Sequence, residues 1–204
     1  MANTLKLSYK EKDAHLKTAE ILKNGGIAVV PTETVYGFAV DAFNVSAQKR
    51  VYKLKGRNQK KPLIVMAADI ESVKTLVEIP QKALKIAKKF WPGQLTLIFQ
   101  TTELGKIISG GRNDLGVRIP NSDFMLKLLK EIRTPLFTTS VNSSGKKSAK
   151  TYKDALAFDG VADVVIDGGK CKFSFESTVV DMVKFPYLII RKGCLDTDEI
   201  LKML

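Results

Sequence analysis

The chain has 204 residues, 45% of them apolar, enough for a buried core and for one large domain or two small ones. No run approaches the roughly 18 apolar residues of a membrane span, and the first twenty residues hold no apolar block of signal-peptide length, so a cytoplasmic protein is expected. Thirty-three basic against 21 acidic residues leave a net charge of +12, which favours nucleotides, RNA or membrane surfaces as partners, or else reflects a lysine-rich solvated surface.

In chain order, a helix from near Asp13 is expected to stop at Gly25-Gly26. A strand follows over 27–31. Ser46 opens a helix that ends at Gly56, and a second strand covers 63–67. Asp69 caps a helix carrying Ile70, Val73, Leu76 and Val77. Strands are expected over 95–99, 117–120 and 136–140. Between the last two, Met125, Leu128, Leu129 and Ile132 form a helical stripe capped by Asn121 or Ser122. Residues 143–150 read as a loop. Thr151 with Asp154, and Asp196 with Glu199, have the spacing of capping boxes. Further strands fall over 164–167, 178–182 and 187–191. Several strand runs are continuously apolar, as in sheets covered on both faces. Alternating strands and helices argue an α/β fold, and one domain over residues 1–204 is expected. The strand order is not legible.

The single histidine, His15, and the distant Cys171 and Cys194 are too few ligands for a structural zinc, and the expected state of both cysteines is a reduced, structural thiol. Three polar clusters stand out. Residues 31–37 follow a strand and offer the hydroxyls of Thr32 and Thr34, the Glu33 carboxylate and the Tyr36 ring; they form either the lip of a ligand site or an ordinary turn. Residues 53–62 gather Lys53, Lys55, Arg57, Lys60 and Lys61 at a helix-to-strand junction, suited to polyphosphate or simply solvated. Truncating Lys55 or Arg57 in such a turn is expected to leave no core cavity. No Walker A pattern occurs. Residues 138–145 run from Thr138 through Ser140 and Asn142 to Gly145, either an anion-binding nest or a Ser/Asn turn. Ser140 lacks the elbow and base of an acyl nucleophile. Arg118 sits within the apolar strand 116–120 and Arg191 ends another, places where a cation is paired, faces a cavity or lies exposed.

In order, PTETVYG (31–37), KGR (55–57) with KPL (61–63), FWPGQLTLIF (90–99), GVRIP (116–120), SVNSSG (140–145), STVVD (177–181) and IIRKG (189–193) resemble the YrdC family of threonylcarbamoyl-adenylate synthases over about residues 12–195. The resemblance implies an open, twisted, mixed α/β sheet flanked by helices around a basic concave cavity, in a short form without the extra C-terminal domain of longer relatives. It implies synthesis of threonylcarbamoyl-AMP and pyrophosphate from L-threonine, bicarbonate and ATP, for a downstream transferase that modifies tRNA. Lys55, Arg57, Ser140 and Asn142 match the catalytic set. Lys55, Arg57, Lys61, Thr138, Ser140, Asn142 and Arg191 match the ATP site. Thr34, Arg118 and Ser177 match the L-threonine site. No protein metal site is implied, and Mg²⁺ is expected to arrive on the ATP phosphates. Asn58 and Glu176 stand where proline is common in the family, Val141 where alanine is common, and Met66 where some relatives have histidine. The alternative is a non-catalytic RNA-binding module. Under the enzyme reading, RNA binding is expected to be weak. A different carbamoyl-transfer enzyme is a second alternative, separated by its indifference to L-threonine.

Overall fold

The computed structural model describes residues 4–58 and 62–203. Among them are ten strands: β1 (Leu5–Ser8), β2 (Ala28–Val30), β3 (Gly37–Asp41), β4 (Ile64–Met66), β5 (Leu95–Gln100), β6 (Asp114–Arg118), β7 (Leu136–Ser140), β8 (Val164–Asp167), β9 (Thr178–Asp181) and β10 (Leu188–Arg191). They form one open mixed sheet of order β1-β8-β2-β3-β7-β4-β6-β5-β9-β10. The pairs β1–β8, β2–β8, β4–β6 and β5–β9 are parallel and the others antiparallel. The helices are α1 (Ala14–Lys23), α2 (Val45–Lys55), α3 (Ile70–Leu76), α4 (Gln81–Phe90), α5 (Glu103–Ile108), α6 (Asp123–Ile132), α7 (Tyr152–Ala155) and α8 (Thr197–Leu201). This is the expected α/β class with an open mixed sheet flanked by helices.

Helix ends follow local chemistry with two corrections. Asn44, not Ser46, caps α2: its Oδ1 accepts the Ala47 N–H at 2.9 Å. The amide side chain reaches the first turn from one step outside it, whereas Ser46 is already helical. The box at Thr151 and Asp154 forms. At Asp196 the carboxylate instead accepts from Asp198 N–H at 2.9 Å, and Glu199 lies 3.8 Å from Lys89. Gly56 closes α2 in the left-handed region at φ 57°, which glycine adopts without a Cβ clash.

Four elements escape the sequence reading. The β1 run is four residues with lysine and serine alternating, and β3 continues directly from the polar 31–37 segment. Helix α4 buries Ala83, Ile86 and Ala87 at helical spacing, but small alanines and interspersed lysines dilute that stripe. Helix α5 is six residues long.

Strand alternation divides the interior into two cores. Phe38, Val40, Val65, Leu97, Val117, Phe137 and Val165 point into the larger one. On the opposite face, Leu7, Ala28, Val30, Ala39, Leu136, Val164 and Ile166 pack beneath α1 and α6. These two helices cover only part of that face; the functional cavity occupies the uncovered part.

Candidate active site

The uncovered face is built by register. Ser140 lies opposite Gly37, Thr138 opposite Ile64, and Met66 opposite Arg118. Alternation sends all six side-chain positions to the same side, where they line a cavity open to solvent. Thr32, Thr34, Val35 and Tyr36 form one wall, Arg57 and Pro62 another, and Glu176, Ser177 and Arg191 a third.

Arg118 is the deepest cation of this cavity, with 4% of its surface exposed. Its Nε donates to Gly93 O at 2.9 Å, Nη1 to Thr34 Oγ1 at 3.1 Å and Nη2 to Glu33 Oε1 at 2.6 Å. These bonds use three of the five guanidinium N–H donors and leave two for a ligand. Glu33 Oε1 also accepts from Asn121 N–H at 2.9 Å, while its buried Oε2 has no hydrogen-bond partner among the described residues. Thr32 donates its hydroxyl proton to Val35 O at 2.6 Å, so in the 2.8 Å contact with Thr34 the Thr34 hydroxyl is the donor. The 31–37 segment is therefore a fixed turn and a cavity wall at once.

Lys55 departs from the expectation of an exposed turn. It is the last residue of α2 and is 2% exposed. Its Nζ donates to Ser140 O, to Asn142 O at 2.9 Å and to Asn142 Oδ1 at 2.5 Å. All three ammonium protons thus hold the end of β7 and the loop after it. Burial, aided by Arg57, pulls the Lys55 pKa down to about 8, with Glu176 opposing. Ser140 Oγ donates to Asn142 Oδ1 at 2.8 Å, and Asn142 Nδ2 donates to Lys146 O at 2.5 Å.

A β-bulge decides where Arg191 points. Ile189 pairs with Val180, but the register then shifts so that Arg191 pairs with Val179. Its Nε reaches Ser177 O and its Nη2 reaches Ser177 Oγ, both at 3.0 Å. Burial pulls the Arg191 pKa down; Arg118 and Arg57 add to this, while Glu176 opposes it. Ser177 Oγ also meets Thr96 Oγ1 at 2.8 Å. Burial works to raise the Glu176 carboxyl, but the Ser148 hydroxyl, Arg191 and Lys150 outweigh it and hold the group below the usual glutamate range.

Of the residues singled out from sequence, Thr34, Arg57, Arg118, Thr138, Ser140, Ser177 and Arg191 line the cavity. Lys55 stands behind Ser140, and Asn142 lines a neighbouring cavity on the far side of its loop. Lys61 lies outside the described residues. The sequence reading named Glu33 as a group of the 31–37 lip but not as the partner of Arg118, and it assigned no role to Ser148, which bonds Glu176. The i+2 placement of Glu33 after a strand-ending proline was visible, but its partner is 85 residues away. Among the described residues no three His, Cys, Asp or Glu side chains gather where they could hold a metal ion, and no helix is long and apolar enough to cross a membrane.

Comparison with known proteins points one way. The sequence pattern of the Sua5_yciO_yrdC family, described as "Telomere recombination", matches residues 20–193. A threonylcarbamoyl-AMP synthase of Pyrococcus abyssi is 38% identical over 189 residues, covering 91% of this chain and 56% of the relative. A putative threonylcarbamoyl-AMP synthase of Methanocaldococcus jannaschii is 32% identical, covering 96% of this chain and 95% of the relative. The structure of P. abyssi Sua5 complexed with L-threonine superposes with a TM-score of 0.90 at 35% identity, covering 98% of this chain and 60% of that one. The chain spans about half the length of the first curated relatives it matches. The strand order, the cavity face and the motif-bearing turns thus come together in one pattern, and by its sequence and its fold the chain belongs to the Sua5/YciO/YrdC family.

Proposed function

We propose that the chain is a threonylcarbamoyl-AMP synthase, a nucleotidyltransferase acting on L-threonine, bicarbonate and ATP. The observation that carries this reading is one cavity with arginines in two settings. Arg118 offers a planar fork with two spare N–H donors beside the Thr34 hydroxyl, which suits a hydroxy amino acid carboxylate. Arg57 and Arg191 line the same cavity and suit phosphates. The names of the relatives support L-threonine as a substrate and an adenylate as the product.

The chemistry requires the threonine amine to form a bond to the carbon of bicarbonate with loss of water, giving a carbamate. One carbamate oxygen then attacks the α-phosphorus of ATP and pyrophosphate leaves. No covalent enzyme intermediate is required, so the protein contributes position and charge. Arg57 and Arg191 offset the repulsion between carbamate and phosphate, and a cavity partly closed to water strengthens that effect. Lys55 acts as a positioning residue by fixing Ser140 and Asn142. Mg²⁺, when bound on the phosphates, supplies further charge neutralisation. The product is an activated carbamoyl group, which a tRNA threonylcarbamoyl transferase would consume in the cytoplasm.

Pyrophosphate release is expected to require both bicarbonate and L-threonine, with threonylcarbamoyl-AMP detected by mass spectrometry. Equal release with either substrate omitted overturns the reading. Tight tRNA binding that survives high salt, with no ATP binding, favours the RNA module instead.

Lys55 also gives a pH prediction. Below about 8 its Nζ carries three N–H donors, matching its three acceptors; above that pH it loses one. Turnover is expected to fall as pH rises through about 8. In Lys55→Arg, whose guanidinium stays charged, that falling limb is expected to move to higher pH. An unchanged limb in the variant assigns the titration elsewhere.

A further inference from the structure

Among the described residues that line the cavity, Glu176 supplies the only carboxylate. Its backbone is pinned: Cys194 N–H donates to Glu176 O at 3.0 Å, and Gly193 lies so close that an added Cβ would come within 2.3 Å of that oxygen. Its side chain is oriented by the Ser148 hydroxyl, which donates to Oε1 at 2.5 Å, so Oε2 is the oxygen left for a ligand. The charged groups around it are Arg191, Lys150 and Lys55, from three different segments. Glu33, the other acid beside the cavity, is buried, and its Oε1 is bound to Arg118 and Asn121.

Arg191 and Lys150 offset part of the charge of this carboxylate, yet it still conflicts with the proposed reaction, which brings two further anions into the same cavity. The conflict is relieved when a cation stands between Glu176 and the phosphates. The ammonium of the amino acid cannot serve throughout, because the amine loses its charge as the carbamate forms. A divalent cation on the polyphosphate keeps its charge. Magnesium is a hard ion commonly held by one or two carboxylates plus substrate phosphates, with waters completing the shell. The donor set fits: a carboxylate oxygen oriented by a hydroxyl, with no nitrogen or sulfur ligand required.

Resting on the proposed function, we infer that Glu176 Oε2 is the protein's ligand for the Mg²⁺ carried by ATP, and that Ser148 is the residue that positions it.

The test uses Mn²⁺ as a paramagnetic probe and an ATP analogue with a methylene between the α and β phosphates. Electron paramagnetic resonance measures Mn²⁺ affinity for the enzyme–nucleotide complex, and calorimetry measures metal-free nucleotide and L-threonine separately. Glu176→Gln is expected to weaken Mn²⁺ binding about tenfold or more. Metal-free nucleotide is expected to bind as well or better, because a negative charge has gone, and L-threonine affinity is expected to stay the same. Ser148→Ala, which keeps the carboxylate, is expected to show a smaller loss of Mn²⁺ affinity. Unchanged Mn²⁺ affinity in Glu176→Gln overturns the inference. So does an equal loss of metal-free nucleotide, which marks a structural role, or a selective loss of L-threonine, which marks an ammonium contact. A wild-type protein that binds nucleotide without any preference for the Mn²⁺ complex sinks this inference alone. A wild-type protein that binds no nucleotide in either form sinks the proposed function with it.

Discussion

Arg118→Ala is expected to destabilise the fold by about 3–5 kcal/mol, the usual consequence of leaving one partner of a buried ion pair unpaired. The pair qualifies: Arg118 and Glu33 side chains are 4% and 5% exposed, with 2.6 Å between Nη2 and Oε1. The variant strands the Glu33 carboxylate, whose Oε2 already lacks a partner, and also frees Gly93 O and Thr34 Oγ1. For a chain of this size, each kcal/mol corresponds to about 2–4 °C in Tm. Calorimetric melting checks this directly. The double change Arg118→Met with Glu33→Gln removes both charges and is expected to recover much of the stability while restoring no L-threonine binding. If the double variant binds L-threonine as wild type does, Arg118 is a structural residue only. Full stability in Arg118→Ala would mean that Glu33 finds another proton or partner.

Lys55→Ala is expected to lower turnover by about 10²–10³-fold, the range seen when one fixed donor of a transition-state site is lost. The effect is indirect. Three acceptors, Ser140 O, Asn142 O and Asn142 Oδ1, lose their shared donor, and the wall holding Ser140 is no longer fixed. The sequence expectation that truncation leaves the fold untouched holds for an exposed turn; Lys55 is buried, so a fall in Tm is also expected, at about 1–3 kcal/mol for each acceptor left unsatisfied. Lys55→Met keeps most of the stem and removes the charge. If Lys55→Met restores Tm but not turnover, the ammonium's positioning role stands. Near-wild-type turnover in both variants overturns it.

Much of the cavity wall was legible because its residue types are constrained locally. A strand that ends in Thr-Glu-Thr, or in Thr-Thr-Ser with a glycine nearby, announces a polar turn through adjacent side chains. The helix stripe through Met125, Leu128, Leu129 and Ile132 and the cap at Asp69 depend on contacts within one or two turns, so sequence alone sufficed. The family resemblance likewise follows from ordered motifs in the chain itself.

Three-dimensional folding decided the rest, because the determining contacts are distant in sequence. Whether Arg118 was paired, cavity-facing or exposed depended on Glu33 and Thr34, more than 80 residues away. Lys55 looked like one of several turn lysines; only the meeting of α2 with the end of β7 buried it and used all three of its protons. Arg191 faces the cavity because of a bulge, and a one-residue register shift leaves no trace in residue type. Glu176 was visible in the sequence, yet its place as the cavity's carboxylate arose when Ser148, Arg191 and Lys150 were brought around it. Sequence determined the class of fold and the chemical vocabulary of the site, since both rest on local patterns; pairing across the sheet decided which charges face one another, since Coulomb and hydrogen-bond energies depend on distance in space.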